Sequence, residues 1–169
     1  LLFGNHDFHY LDVNERYSGF QNGYNYIFKD ILKRDLKYFQ MCYKQDNILI
    51  THAGVSEVWC KNNNIDLNQD IEQQINDLFD FKPFSFKFKG NDPYGDSPES
   101  SPIWIRLHSL SYYGLSFVQI VGHTTKQNIK EIQGNYGHFT IYPIDCLGTS
   151  QEYLVINNNE IQIKSLKTK

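Results

Sequence analysis

The sequence predicts an α/β fold because short strand-like runs alternate with helical segments. Residues 1–3, 48–50 and 117–121 form short, mostly apolar runs, which are typical of buried strands. Residues 24–37 and 65–79 instead place apolar side chains three and four positions apart, which is the spacing of one helix face. This alternation is typical of a sheet whose strands are joined by helices.

The segments between and after these elements complete the predicted fold. Residues 38–43 are predicted to form a strand that ends in a turn at 45–47. Asp66 or Asn68 is expected to cap the second helix. Residues 81–102 are rich in Pro, Gly and Ser and are predicted to form a long loop, a feature usually functional or disordered. Further strands are predicted near 128–133, 138–143, 153–157 and 160–164.

Length and composition limit the classes of function. A chain of 169 residues can bury the core of one domain, so residues 1–169 are predicted to form a single domain. The net charge of −3 and the pI of about 6.1 argue against nucleic-acid binding, which usually needs a basic face. Because no apolar run approaches the ~18 residues of a membrane-spanning helix, no membrane partner is expected.

The three cysteines, Cys42, Cys60 and Cys146, indicate a reducing environment. Their number is odd, their spacing is wide, and no Cys-x-x-Cys pair occurs, so a zinc knuckle is not expected. Free thiols are typical of the cytoplasm, where disulfides are rare. The protein is therefore predicted to be cytoplasmic.

Polar side chains follow three of the predicted apolar strands, and each group lies beside a glycine. In chain order they are Asn5, His6 and Asp7, then His52, and then His123. Open α/β sheets bind ligands at the carboxyl ends of their strands, so these side chains are expected to share one site. A glycine next to such a side chain permits a sharp turn and a close approach of the backbone.

The residue types at these strand ends suit metal binding and proton transfer. Neutral imidazole combined with amide or carboxylate oxygen suits Zn, Mn or Fe better than Ca or Mg. Each histidine taken alone is more often a hydrogen-bonded core residue, and that alternative stays open for each position. Three histidines at three strand ends together favour a functional site.

The order of these segments resembles that of the calcineurin-like metallophosphoesterases. The matching segments are Gly4-Asn5-His6-Asp7, Thr51-His52-Ala53-Gly54 and Gly122-His123-Thr124. The branch that contains the phosphoprotein phosphatases and the bacterial diadenosine tetraphosphatases is the most similar, because it often carries an apolar-Trp-apolar-Arg segment like residues 103–106. Residues 144–148 are similar to that branch's Ile-Asp-x-Gly turn, with one extra residue before the glycine. The resemblance spans residues 1 to about 157.

The resemblance implies a metallophosphoesterase-type sandwich of two packed β-sheets flanked by helices, of which this chain holds a part. The family begins with Asp-x-His on one strand and Gly-Asp-x-x-Asp-Arg/Asn-Gly on a second, and neither motif precedes Gly4. Two strand–helix units, roughly 60 residues together, are therefore expected to be missing. By resemblance, those units would supply the first metal site and the carboxylate that bridges two metals.

The resemblance also implies a metal role for three of the strand-end residues. Asn5, His52 and His123 would be ligands of the second metal. The full-length protein is thus expected to hold two divalent metals, Mn, Fe or Zn, and this chain at most one. A hydroxide between the metals would attack phosphorus, because bound metals lower the pKa of water.

Three other residues receive catalytic or substrate-binding roles by resemblance. His6 would be the general acid that protonates the leaving oxygen, and Asp7 would orient it. Arg106 would hold a phosphate oxygen with its planar fork, the alternative being an ordinary surface ion pair. Asp145 would either support the site or only form its own turn.

The remaining histidines match no position of the family. They are His9, His108 and His138, and they are predicted to be surface residues or hydrogen-bonded polar residues rather than ligands. A lone histidine outside a motif usually has such a role, so none of the three enters the predicted site.

The leading functional prediction is metal-dependent hydrolysis of a phosphomonoester or phosphoanhydride by the full-length protein. The substrate would be a Ser/Thr phosphoprotein or a small nucleotide such as a dinucleoside polyphosphate, and this phosphorylated substrate is the expected partner. The 169-residue chain by itself is expected to have little or no activity. The alternative is a truncated or degenerate homologue that binds a partner or a ligand without catalysis.

Overall fold

The computed structural model describes residues 1–11, 16–89 and 96–166. The α-helices of these residues are α1 (Asn5–Phe8), α2 (Asn25–Asp35), α3 (Glu57–Asn62), α4 (Ile71–Phe81) and α5 (Leu107–Tyr113). Their strands are β1 (Cys42–Gln45), β2 (Ile48–Thr51), β3 (Val118–Val121), β4 (Ile132–Gln133), β5 (Thr140–Pro143), β6 (Glu152–Asn157) and β7 (Glu160–Ser165). Short 3-10 helices lie at Asn22–Tyr24, Leu36–Tyr38 and Pro83–Phe86.

A five-stranded mixed sheet forms the centre of the fold and sets the position of the site. Its strand order is β1-β2-β3-β5-β4, in which β2, β3 and β5 run parallel. Thr51 at the end of β2 pairs with Val121 at the end of β3, so both strands end at the same level. The next residues therefore emerge together, and the Gly122 N–H donates to the His52 carbonyl oxygen at 2.8 Å.

The apolar composition of the inner strands explains their central place. Ile48, Leu49, Ile120, Val121 and Ile141 are each at most 3% exposed. Strands buried on both faces need such continuous apolar runs, because helices and loops cover both sides of a parallel sheet. The sequence prediction of strands at 48–50 and 117–121 is confirmed to within one residue.

The last two strands form a separate hairpin. Strands β6 and β7 pair antiparallel, with Asn157 opposite Glu160. Asn158 and Asn159 between them have φ values of 47° and 66°, the left-handed pair that a tight two-residue hairpin turn requires.

The α/β class is confirmed, whereas the finer prediction of a metallophosphoesterase sandwich is not confirmed. Within the described ranges, no helix is long and apolar enough to cross a membrane.

The second predicted helix begins later than expected. The prediction of 65–79 is wrong at its start, since α4 begins at Ile71 and Asp70 is the cap that accepts from the Gln73 N–H at 3.2 Å. Asp66 instead accepts from the Asn68 N–H at 2.9 Å and so closes a local turn. Aspartate side chains that bond their own backbone in this way compete with helix formation.

Three further segments differ from their predictions. Residues 1–3 form only a single parallel bridge, between Leu2 and Gln40, rather than a full strand. Strand β1 lies later than the predicted 38–43, because a 3-10 turn takes up residues up to Tyr38. The strand predicted near 128–133 is limited to β4, Ile132–Gln133, and residues 90–95 of the predicted loop lie outside the described residues.

Candidate functional site

A cleft of about 860 Å³ lies at the carboxyl edge of the sheet. It contains every residue that the sequence placed in the site, which are Asn5, His6, Asp7, His52, Arg106 and His123. It also contains residues that the sequence did not assign to the site, among them Tyr17, Ser18, Phe88, Trp104 and Thr125. At this edge of the sheet, polar and aromatic side chains therefore line one cleft.

The turn that opens the site depends on Gly4. Its N–H donates to Asp7 Oδ2 at 2.9 Å, which holds the first turn of α1 together. A Cβ at this position would lie 2.9 Å from His52 Cε1, closer than real side-chain contacts. Glycine is required here because the backbone must approach the imidazole ring.

His52 and Asn5 hold each other at the floor of the cleft. The His52 ring Nε2 lies 2.9 Å from Asn5 Oδ1. Because an amide oxygen only accepts, this distance assigns the proton to Nε2 in the neutral ring. Asn5 is only 7% exposed, and burial lowers the pKa of His52, an effect that the nearby Asp7 charge partly opposes. Burial therefore shifts His52 toward its neutral form.

His123 stands beside His52, in a strained backbone conformation. Its φ of 63° is left-handed, which is uncommon for a residue other than glycine, and such strain occurs mainly at functional positions. The centroids of the two imidazole rings are 5.1 Å apart. Burial lowers the pKa of His123 to about 4, with further contributions from His52 and Arg106. Its buried Nε2 has no hydrogen-bond partner among the described residues.

His6 is exposed at the mouth of the cleft and is held by packing. Gly19, with a φ of 86°, lies so close that a Cβ would be 3.2 Å from His6 Cε1. The imidazole ring of His9 stacks on the other side, with centroids 6.1 Å apart. The predicted orientation of His6 by Asp7 stays a prediction, since Asp7 Oδ2 accepts a hydrogen bond from the Gly4 N–H.

Arg106 is positioned by the buried segment before it. Ile103 and Ile105 are at most 1% exposed, and they alternate with Trp104, whose ring is 8% exposed. The Ala53 N–H donates to the Pro102 carbonyl at 2.7 Å, which ties this segment to the end of β2. Arg106 then begins α5 as its half-buried N-terminal flank and lines the cleft.

Asp145 and His9 are two residues that the sequence did not assign to the predicted site. Asp145, which the sequence left between two roles, lines the cleft and accepts from Thr125 Oγ1 at 3.1 Å. His9 was predicted to be a surface or hydrogen-bonded residue, and this is wrong. It is 4% exposed, and neither ring nitrogen has a hydrogen-bond partner in the part of the chain that the structure describes. Aromatic neighbours explain the difference, because Tyr10 and Phe20 pack edge-on against its ring at 4.5 and 5.1 Å.

The cysteines lie away from this chemistry. All three are free and buried, and the described residues that line the cleft include no cysteine. Burial raises the pKa of Cys42, and it raises the pKa of Cys60 to about 12. Both thiols are therefore protonated at neutral pH and are poor nucleophiles, because the thiolate is the reactive form.

No protein-family model and no curated protein matches the chain significantly. The solved structures that do match include the cold-active protein-tyrosine phosphatase of a psychrophilic Shewanella species, with 18% identity and a TM-score of 0.61. That match covers 99% of this chain and 58% of the other. A mutant form of a cold-active protein tyrosine phosphatase matches over the same shares, with 18% identity and a TM-score of 0.57. A further structure of such an enzyme matches with 19% identity and a TM-score of 0.55, covering 96% and 54%.

These comparisons show a shared fold and correct the predicted family. The neighbours are named as protein-tyrosine phosphatases rather than as calcineurin-like metallophosphoesterases, and no family model supports the latter assignment. The chain is therefore not assigned to the metallophosphoesterases. It spans less than two thirds of the length of the structures that it resembles.

The predicted cofactor is corrected as well. Two divalent metals were expected in the full-length protein, and Asn5, His52 and His123 were expected to hold one of them. Across residues 1–11, 16–89 and 96–166, no group of three or more His, Cys, Asp or Glu side chains is arranged to hold a metal ion. The physical reason lies in the 2.9 Å contact, in which His52 Nε2 donates its proton to Asn5 Oδ1, so that the nitrogen expected to bind the metal carries a hydrogen.

Proposed function

We propose that the protein hydrolyses phosphomonoesters in this cleft. One observation carries the proposal: a cationic fork, Arg106, and an exposed imidazole, His6, line the same cleft as two partly buried histidines, His52 and His123. The fold shared with structures named as phosphatases supports it. The alternative function is that of a non-catalytic binding module, and the substrate panel described below distinguishes it from hydrolysis.

Each residue of the proposed site has a distinct task. Arg106 binds two oxygens of the phosphate, a geometry that its planar guanidinium suits. The oxygen of a water molecule bonds to phosphorus as the bond from phosphorus to the leaving oxygen breaks, and one proton of that water passes to solvent, from which His6 is later reprotonated. His6 gives its proton to that leaving oxygen, which receives the electron pair of the broken bond. Asp7 lies within the same turn of helix and orients His6.

The proposal uses no step through a thiol. A phosphocysteine intermediate needs a thiolate in the cleft, whereas Cys42 and Cys60 are buried and have raised pKa values. Alkylation with iodoacetamide under native conditions is therefore expected to leave turnover unchanged.

The first substrate to test is a tyrosine phosphate, because the similar structures are named as protein-tyrosine phosphatases. A Ser/Thr phosphopeptide and a dinucleoside polyphosphate complete the panel. The product of the complete gene is the sample of choice, because the chain spans only part of the length of its structural neighbours.

The decisive experiment measures kcat/KM for p-nitrophenyl phosphate and phenyl phosphate in the parent protein and in His6→Gln. Loss of a general acid typically lowers the rate 10²- to 10⁴-fold, so we expect about a hundredfold loss with phenyl phosphate. The loss with p-nitrophenyl phosphate is expected to be much smaller, because its leaving group needs little protonation. His138→Gln, an exposed histidine on a distant turn, is the matched control.

Two results would overturn the proposal. Absence of turnover with every member of the panel, in a protein that still binds phosphate, would favour the binding module. An equal loss with both leaving groups would show that His6 is not the acid.

A further inference from the structure

We propose that the cleft contains a ring-binding subsite that selects an aromatic leaving group. The subsite is formed by Tyr17, Phe88 and Trp104, called the aromatic wall below. This inference rests on the proposed phosphomonoesterase function and deepens it, because it names the residues that define the substrate class.

The aromatic wall is a continuous surface. The centroids of Tyr17 and Trp104 are 4.5 Å apart with their planes at 64°. Phe88 meets Trp104 at 5.2 Å and Tyr17 at 6.4 Å, again edge to face. Edge-to-face contacts of this kind are the favourable arrangement of aromatic rings, so the three rings hold one another.

Backbone contacts fix the wall in place before any ligand arrives. The Phe88 N–H donates to the Tyr17 hydroxyl at 3.2 Å, which joins two segments that are far apart in the chain. Trp104 is 8% exposed and meets the His123 ring edge to face at 6.0 Å. Tyr17 and Phe88 are only half-buried, although both line the cleft. Part of each ring is therefore available to a ligand.

The wall lines the same cleft as the phosphate-binding group and the acid. At one end, Trp104 lies two positions before Arg106 in the buried segment. At the other end, Tyr17 begins the turn that contains Gly19. This glycine packs on His6, because a Cβ added to it would lie 3.2 Å from His6 Cε1. A phosphate held by Arg106, with its leaving oxygen at His6, thus has its organic group beside the wall.

An aromatic leaving group fits this surface better than an aliphatic one. A phenyl ring bonded to the leaving oxygen can pack edge to face against the exposed parts of Tyr17 and Phe88, which adds attraction beyond apolar burial. The short side chain of a serine phosphate has no ring to place there. The subsite therefore selects aryl phosphates, the class to which phosphotyrosine belongs.

The test separates ring binding from leaving-group chemistry by using two phosphonates that cannot be hydrolysed. Phenylphosphonate and methylphosphonate carry the same acidic group, and their inhibition constants are compared in the complete gene product. We expect phenylphosphonate to bind at least about fivefold more tightly, given the usual strength of aromatic pairs. Tyr17→Leu and, separately, Phe88→Leu are expected to remove most of that difference while methylphosphonate binding is kept. Tyr136→Leu, at an exposed tyrosine in a turn, is the matched control and is expected to change neither constant.

The outcomes distinguish this inference from the function on which it rests. If methylphosphonate binds but the phenyl ring adds nothing, the subsite is refuted and the phosphate site stands. If Tyr17→Leu and Phe88→Leu weaken both inhibitors equally, the wall is only structural and the inference fails. If neither phosphonate binds, the proposed function fails, and the subsite fails with it.

Discussion

The histidines of the cleft lie in two contrasting regions. His52 and His123 follow parallel strands and lie in partly buried positions. His6 lies one residue into a four-residue helix and is exposed at the mouth. Burial lowers the pKa of both strand-end rings, that of His123 to about 4.

This contrast teaches how one type of side chain can serve two purposes. Burial favours the neutral form of both strand-end rings, which form a polar floor in the cleft. An exposed imidazole can exchange protons with solvent in every catalytic cycle. Groups that titrate in different environments are the usual basis for separate acid–base roles within one site.

Among the changes that compare these two regions, the largest expected effect comes from Arg106, which lines the cleft with both. Arg106→Lys keeps the charge but removes the planar fork, so we expect kcat/KM for phenyl phosphate to fall at least about tenfold. The loss should appear mainly as a raised KM. The steady-state kinetics of Arg106→Lys are compared with those of Arg34→Lys, a control change at an exposed arginine of α2. Equal kinetics in the two variants would remove Arg106 from the site.

The next effect concerns the contact that joins the two regions. Gly4→Ala places a Cβ 2.9 Å from His52 Cε1 and 3.0 Å from its Nδ1. Overpacking of this kind typically costs 1–3 kcal/mol, so we expect the free energy of unfolding to drop by about 2 kcal/mol, with a severalfold loss of turnover. Gly23→Ala, where nothing lies within 4 Å, is the matched change and should leave both quantities nearly unaltered. Urea unfolding measures the difference, and an unchanged Gly4→Ala protein would show that the ring moves freely.

A smaller effect tests whether the floor is neutral. The folded pKa of His123, about 4, lies below its ordinary value of 6.5. As the pH falls below about 6.5, the unfolded chain takes up a proton that the folded chain does not, so stability decreases toward pH 4. His123 contributes a slope of at most about 1.4 kcal/mol per pH unit over that window.

His123→Asn removes this titration and retains a residue type that tolerates a φ of 63°. Urea unfolding between pH 7 and pH 4.5 should therefore show a shallower loss of stability in this variant than in the parent. His108→Asn, a change at an exposed histidine, is the comparison variant. An identical slope in all three proteins would mean that His123 titrates normally when folded.

The smallest expected effect concerns metal ions. Because His52 Nε2 and Asn5 Oδ1 are engaged with each other, titration of the chain with Mn²⁺ or Zn²⁺ should give no tight stoichiometric binding by calorimetry. Tight binding that disappears in His52→Ala would reverse the cofactor correction and restore the metal site predicted from the sequence.

Much of the site was predictable because it lies where strands end. Apolar runs followed by Gly and His indicated the positions of His52 and His123, and parallel pairing brings them to one edge. The start of α4 was not predictable, since Asp66, Asp70 and Asn68 are all acceptable caps by residue type. Only the geometry shows that Asp66 closes a separate turn.

By itself the sequence determined the α/β class, the inner strands and the set of polar residues at one edge of the sheet. These follow from local periodicity and residue type, which act over a few neighbouring positions. The tertiary structure alone decided the rest, namely the contact of Asn5 with His52, the burial of His9 and the aromatic wall. Those features join residues 11 to 87 positions apart or depend on how loops enclose a ring, and no local pattern carries such information.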